Sequence, residues 1–160
     1  MSDPDPVLVR EQRGAVLILR LNRPDARNAL NMELLAEFGA GIVHAEADPD
    51  TRAVVLTGTG DRAFCSGMDL AAFASGEKPT AEQMEGLAVF GRFIKGEVGV
   101  PIVGAINATA VAGGFELMMG DTAAAWKKQD EWQPKVFGSE DAKEGATAFI
   151  EKRDPVWQGR

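Results

Sequence analysis

Short aliphatic runs alternate with helix-length amphipathic segments along the chain, and this alternation limits the possible folds more than any other feature. The runs at residues 15–21, 53–57 and 102–106 are aliphatic and β-branched, and each is too short for an ordinary helix. Residues 7–9 form a further short run, separated from the next by a glycine-containing turn, so a hairpin is expected there. The order is strand pair, helix, strand, helix, strand, helix, which predicts an α/β fold.

Capping residues mark where the helices begin. Asn31 precedes a helical pattern that runs to about residue 47, and Thr80 precedes one that runs to about residue 95. Asp69 is expected to begin a short helix after the first glycine-rich loop, at residues 58–67. A last helix is predicted at residues 139–152, with acidic residues at its start and basic residues at its end, as the helix dipole favours.

Composition narrows the possible functions. The 160 residues fit one domain, and 17 basic against 24 acidic side chains disfavour a nucleic-acid-binding role. No apolar run reaches the roughly 18 residues of a membrane helix, and the acidic N-terminus is unlike a signal peptide, so a cytoplasmic location is expected. One Cys and one His cannot form an internal disulfide or a Cys/His zinc site, so no metal site is expected. His44 falls in a helical pattern and is expected to be an ordinary helix residue. Cys65 has no adjacent His to activate it, so a cysteine nucleophile is not expected.

Two glycine-rich loops are the strongest candidates for a site. Gly58, Gly60 and Ala63 formally match a dinucleotide fingerprint, but no helix starts at these glycines, as that fingerprint requires. The other interpretation is that Gly67 turns the chain so that the Met68 N–H points into a cleft. A second N–H donor at Gly113 would then complete an oxyanion hole.

Three segments in the same order resemble the crotonase superfamily, the enoyl-CoA hydratases and isomerases. They are Asn-Arg-Pro-Asp-Ala-Arg-Asn-Ala-Leu at residues 22–30, Arg-Ala-Phe-Cys-Ser-Gly-Met-Asp-Leu at 62–70, and the stretch from Pro101 to Leu117. The resemblance implies a spiral of strand-strand-helix units, incomplete here over residues 1–121, followed by a helical C-terminal segment over 122–160. It also implies acyl-CoA or enoyl-CoA thioesters as substrates, in fatty acid metabolism, and a homotrimer or homohexamer.

The resemblance assigns roles to individual residues. The N–H groups of Met68 and Gly113 would bind the thioester oxygen, and Glu116 would match the first catalytic carboxylate. Arg23, Arg27 and Arg62 would suit the phosphates of CoA. The remaining positions expected to contact CoA are Ala26, Asn28, Asp69, Leu70, Ala71, Phe149 and Lys152. No separate cofactor is implied, because CoA enters as part of the thioester substrate.

The chain also departs from the family pattern. It is about 100 residues shorter than is usual for the family, and the missing part falls between Asp121 and Trp126. That part normally supplies the second catalytic carboxylate, and its absence means either an internal deletion or a segment missing from the printed sequence. The expected function is therefore an enoyl-CoA hydratase or isomerase, and the alternative is a non-catalytic acyl-CoA-binding or oligomeric protein.

Overall fold

A four-stranded sheet forms the centre of the molecule. The computed structural model describes residues 5–76, 78–114 and 134–159. The strands lie in the order β1-β2-β3-β4, with β1 antiparallel to β2 and the other neighbours parallel. Their bounds are β1 (Leu8–Arg13), β2 (Val16–Leu21), β3 (Ala53–Gly58) and β4 (Ile102–Gly104). The predicted hairpin and both later strands are confirmed, although β4 ends two residues before the expected position.

Four helices follow the predicted starting points. Their bounds are α1 (Met32–Ala47), α2 (Leu70–Ser75), α3 (Ala81–Ile94) and α4 (Glu140–Glu151). Each begins after a side chain that accepts a hydrogen bond from the first turn, and these N-caps are Asn31, Asp69, Thr80 and Ser139. The helices therefore begin where the sequence predicts, because capping is a local interaction.

One face of the sheet and one face of α1 make the core. Alternate residues of β2, namely Leu17, Leu19 and Leu21, are almost fully buried, as the two-residue period of a strand requires. On α1, Leu34, Phe38 and Ile42 fall on one helical stripe and are buried with them. The expected α/β fold with strand-strand-helix organisation is confirmed, and α1 connects β2 to the parallel strand β3.

The opposite face of the sheet is less covered. Val16 and Ile18 of β2 and Val55 of β3 are only partly buried, and Val103 of β4 is 57% exposed. The boundary predicted near residue 121 lies outside the described residues. Within the described ranges, no helix combines the length and the apolar character needed to cross a membrane.

Candidate functional site

The site lies where the chain leaves β3 and β4. These strands are parallel, so their carboxyl ends lie at the same end of the sheet. The loops that follow the two strands therefore run side by side. The Phe64 N–H donates to the Thr109 carbonyl at 2.9 Å, and the Val111 N–H donates to the Cys65 carbonyl at 3.1 Å. The structure thus brings the two glycine-rich loops of the sequence into direct contact.

Glycines allow this close approach. Gly67 has a φ of +87°, and a β-carbon there would lie 2.9 Å from the Ala112 β-carbon and 3.1 Å from the Val111 carbonyl oxygen. A β-carbon on Gly114 would overlap the carbonyl oxygen of Cys65. Any side chain at either position would separate the loops, which explains why both positions carry glycine. Sequence reasoning identified Gly67 but gave Gly114 no role.

The direction of the Met68 N–H follows from the pairing of its neighbours. Leu30 donates its N–H to the Gly67 carbonyl at 2.7 Å and accepts from the Asp69 N–H at 2.9 Å. In a parallel pairing of this kind, the residue between the two bonds directs its own N–H to the opposite side. The Met68 N–H therefore points away from Leu30. Neither it nor the Gly113 N–H has a hydrogen-bond acceptor among the residues that the structure describes.

Met68 and Gly113 line the same cavity, which has a volume of about 730 Å³. This volume is within the range of small-molecule binding sites. Phe73 and Phe137 meet edge to face at its wall, with ring centroids 6.2 Å apart. The other described lining residues are mostly apolar: Leu30, Leu35, Ser66, Leu70, Leu87, Phe90, Gly91, Ile94, Lys95, Ala112 and Pro134. Two N–H groups that have no acceptor among the described residues, on a mostly apolar wall, can hold one carbonyl oxygen while a hydrocarbon chain fills the space beside it.

Asp69 connects this site to the loop after β2. Its Oδ1 accepts from the N–H groups of Ala71 and Ala72 at the start of α2, and its Oδ2 is 2.9 Å from Nη2 of Arg23. Partial burial tends to raise the pKa of this carboxyl group, but the bonds from Arg23, Ala72 and Ala71 outweigh it and leave the pKa below its ordinary value. Asp69 is therefore a charged, structurally bonded carboxylate.

Arg23 differs from the sequence-based expectation. Its guanidinium is bonded to Asp69 and also to the Ala29 carbonyl, with Nη1 2.5 Å from the oxygen, and its side chain is 19% exposed. Its guanidinium is thus bonded to two groups of the protein itself, whereas the sequence analysis expected it to suit the phosphates of CoA. No local sequence signal indicates this pairing, because Arg23 and Asp69 are 46 residues apart.

The loop expected to contact CoA folds around Asn28. This side chain is fully buried, with Nδ2 donating to the carbonyls of Thr59 at 3.0 Å and Ala63 at 2.9 Å, and Oδ1 accepting from the Arg23 N–H. Its contribution to a ligand would have to come from the backbone. Arg27 beside it is exposed, and both residues have left-handed φ angles of 53° and 54°.

The remaining predicted positions are dispersed. Leu70 lines the cavity, whereas Ala26 and Ala71 lie outside the lining, at the end of a 3-10 helix and at the start of α2. Phe149, 71% exposed, and Lys152 lie at the C-terminal end of α4 and do not line the cavity. Glu116 lies outside the described residues.

The structure also describes the residues and motifs that the sequence analysis disfavoured. His44 is exposed in the last turn of α1. Cys65 is completely buried, and burial raises the pKa of its thiol to about 11. No helix begins between Gly58 and Asp69, so the dinucleotide interpretation lacks its helix. In the part of the chain that the structure describes, no three His, Cys, Asp or Glu side chains lie close enough together to hold a metal ion.

Comparison with solved structures places the architecture in the crotonase fold. EchA1_1 from Mycobacterium paratuberculosis aligns with a TM-score of 0.77 at 24% identity, covering 98% of this chain and 100% of that one. A carnitinyl-CoA dehydratase from Mycobacterium avium aligns with a TM-score of 0.62 at 39% identity, covering 70% of this chain and 43% of that one.

Sequence comparison identifies the family. Residues 11–128 match the family described as enoyl-CoA hydratase/isomerase, and the chain belongs to that family. A probable enoyl-CoA hydratase, EchA14 of Mycobacterium tuberculosis, is 39% identical over 119 residues, which are 74% of this chain and 46% of that protein. The carnitinyl-CoA dehydratase of Proteus mirabilis is 39% identical over 107 residues, which are 67% of this chain and 40% of that protein. The chain spans less than half the length of these relatives.

Proposed function

We propose that the chain acts on acyl-CoA thioesters as an enoyl-CoA hydratase or isomerase, with the N–H groups of Met68 and Gly113 binding the thioester oxygen. The observation that carries this proposal is that Met68 and Gly113, from two different loops, line one mostly apolar cavity, and that their N–H groups have no acceptor among the described residues. When a proton leaves the acyl chain or water adds to it, negative charge develops on that oxygen. Donors already in place stabilise this charge, and each is worth about 2.7 to 4 kcal/mol in comparable holes.

The cavity and the relatives together support this substrate class. An apolar space of about 730 Å³ beside the donors suits the hydrocarbon part of an acyl group. The relatives are named for enoyl-CoA and carnitinyl-CoA, which are both CoA thioesters. CoA itself would lie against the residues that the resemblance indicates, namely Ala26, Arg27, Asn28, Asp69, Leu70, Ala71, Phe149 and Lys152. It is part of the substrate in this proposal, so no separate cofactor is needed.

Glu116 is the proposed proton-transfer group. It is three residues past Gly113 in the sequence, a spacing typical of one helical turn. A single carboxylate can move a proton between two carbons of the acyl chain and shift the double bond. Adding water across the double bond in this family uses two carboxylates, so the isomerase reaction needs the smaller set of residues.

A second candidate function is acyl-CoA binding without turnover. It is favoured by the composition of the cavity wall, because none of the described lining residues carries a carboxylate. In this case the two N–H donors would hold the thioester without turnover. We also propose self-association as a trimer or hexamer.

Turnover and binding of an enoyl-CoA separate these possibilities. In the enzyme, Glu116→Gln should lower turnover by about 10²- to 10⁴-fold, while affinity for the acyl-CoA stays within a few fold. Gly113→Val should weaken binding of the acyl group, because its side chain would press on Leu30, whose Cδ1 is already 3.1 Å from the position of a β-carbon. Binding without turnover in the unmutated chain would favour the second function, and no binding would refute both.

A further inference from the structure

Arg23 joins two segments of the site that the sequence keeps far apart. It follows β2, and its guanidinium donates through Nη1 to the Ala29 carbonyl at 2.5 Å and through Nη2 to the Asp69 carboxylate at 2.9 Å. Both ends of this ion pair are largely buried, with the two side chains 19% and 17% exposed. The planar guanidinium has its donors in a fixed arrangement, so the two acceptors are held at a set separation.

These two acceptors lie next to the pairing that directs the Met68 N–H. Ala29 precedes Leu30, and Asp69 follows Met68. Leu30 and Met68 form the parallel pairing whose hydrogen bonds are 2.7 and 2.9 Å. Arg23 therefore holds together the segments around Leu30 and Met68, and the register of these two segments determines the direction of the Met68 N–H.

The ion pair of Arg23 and Asp69 is held by further hydrogen bonds on both residues. The Arg23 N–H donates to Oδ1 of the buried Asn28, and its carbonyl accepts from the Asn28 N–H at 2.8 Å. At the other end, the second oxygen of the Asp69 carboxylate accepts from Ala71 and Ala72 of α2. With both carboxylate oxygens and both ends of the arginine bonded, the distance between the two loops is determined by side chains rather than by loop flexibility.

We propose that Arg23 is a positioning residue that keeps the Met68 N–H aimed at the thioester oxygen. The inference rests on the proposed function, because it assigns Arg23 to the same site. In this proposal Arg23 acts through Ala29 and Asp69, and it does not line the cavity that Met68 and Gly113 share. Small displacements of a preorganised donor reduce transition-state stabilisation strongly, whereas binding of the CoA and acyl parts depends on many other contacts. Loss of Arg23 should therefore lower kcat more than it raises KM.

The test measures polarisation of the bound thioester directly. An enoyl-CoA with an isotopically labelled thioester carbonyl is bound to the full chain, and the stretching frequency of that carbonyl is recorded by infrared difference spectroscopy. Hydrogen bonding to the oxygen lowers this frequency. The variants are Arg23→Gln and Asp69→Asn, since asparagine still caps α2 but loses the ionic partner. Turnover of the same substrate is measured in parallel.

Arg10→Gln is the matched control. Arg10 also bonds one carboxylate and one main-chain carbonyl, both of Glu37, at 2.6 and 2.9 Å, and it does not line the cavity. We expect the control to keep the lowered frequency, and we expect Arg23→Gln to lose most of it while still binding. Turnover of Arg23→Gln should fall about 10- to 100-fold, the scale expected for a misplaced catalytic group.

The outcomes separate the two proposals. A lowered frequency that survives in Arg23→Gln and Asp69→Asn overturns the role of Arg23 and leaves the oxyanion hole standing. If Arg10→Gln and Arg23→Gln lose the frequency shift to the same extent, the role of Arg23 is also overturned, because equal losses indicate general destabilisation. An unshifted carbonyl in the unmutated chain refutes the oxyanion hole, and the role of Arg23 with it. If Arg23→Gln fails to fold, Asp69→Asn decides, and an unchanged frequency there contradicts the proposal.

Discussion

Asn28 is the buried polar residue around which the first loop of the site folds. Its side chain donates to the carbonyls of Thr59 and Ala63 and accepts from the N–H of Arg23. A buried polar group that loses its partner costs about 1 to 3 kcal/mol. Asn28 therefore stabilises both the loop after β2 and the loop after β3.

We predict that Asn28→Ala lowers the free energy of unfolding by about 3 kcal/mol or more, because one buried and two partly buried main-chain groups lose their partner at once. Urea denaturation measures this. Asn22→Ala is the control, since Asn22 makes one exposed side-chain bond, to the Pro6 carbonyl at 2.8 Å, and should cost less than about 1 kcal/mol. Equal denaturation midpoints for the two variants would show that the buried network is not important for stability.

Local features of the site could be predicted from the sequence, and long-range pairings could not. Asp69 is recognisable as an N-cap because its partners are two and three residues away. The burial of Asn28 and the ion pair of Arg23 depend on partners 31 to 46 residues distant, and no periodicity records them. The family resemblance located these residues near the site but gave them a ligand-binding role.

Helices α1 and α3 approach each other through two glycines. A β-carbon on Gly39 would lie 2.6 Å from the Gly86 Cα, and one on Gly86 would overlap the backbone of Leu35 and Ala36. The helices thus pack at backbone distance, which holds the cavity-lining side of α3 in place.

Gly86→Ala should destabilise the protein by about 1 to 3 kcal/mol, because overpacking outweighs the gain in helix propensity. Gly91→Ala in the same helix should stabilise it by about 0.5 to 1 kcal/mol, since no atom lies within 4 Å of its β-carbon position. Thermal denaturation of the two variants compares them directly. A stabilising Gly86→Ala would mean that α1 and α3 do not pack this closely.

The chain after α4 folds back onto that helix through Glu144. This carboxylate accepts from Arg153 at 2.6 and 2.9 Å and from the Val156 N–H at 2.8 Å. The Arg153 guanidinium, followed by the Val156 N–H, lowers the pKa of Glu144 from 4.5 to about 2. Because the folded-state pKa is lowered, the stabilisation is complete above pH 4.5 and is lost as the pH falls towards 2.

The difference in urea midpoint between the unmutated chain and Glu144→Gln should follow this pH range. We expect a constant difference above pH 4.5 that narrows progressively at lower pH. A difference that does not depend on pH would contradict an ionic role for Glu144.

The elements themselves were largely predictable. Strand runs and capping residues located β1 to β4 and the starts of α1 to α4, because both depend on residues near one another in the chain. The early end of β4 was not predictable. Asn107, three residues after β4, bonds the Gly58 N–H at 3.1 Å and the Gly60 carbonyl at 2.6 Å, and this side-chain contact depends on the tertiary fold.

At the scale of the whole molecule, β4 is a sheet edge with an exposed apolar residue. Among the described strands it pairs only with β3, and Val103 is 57% exposed. An unprotected edge with apolar side chains favours association with another chain.

We therefore predict self-association at micromolar concentration, and Val103→Lys should weaken it. Val43→Lys on α1 is the control, because Val43 is similarly exposed, at 48%, but lies on a helix. Sedimentation velocity measures the species present. A monomer of 17.1 kDa as the sole species for the unmutated chain would refute the prediction.

The most direct test of the oxyanion hole is an experimental structure of the full chain with a bound acyl-CoA. The proposed function predicts the thioester oxygen about 2.7 to 3.1 Å from the nitrogens of both Met68 and Gly113, with the acyl chain in the cavity that Phe73 and Phe137 line. A thioester whose oxygen contacts neither N–H, or an acyl group bound outside this cavity, would contradict it.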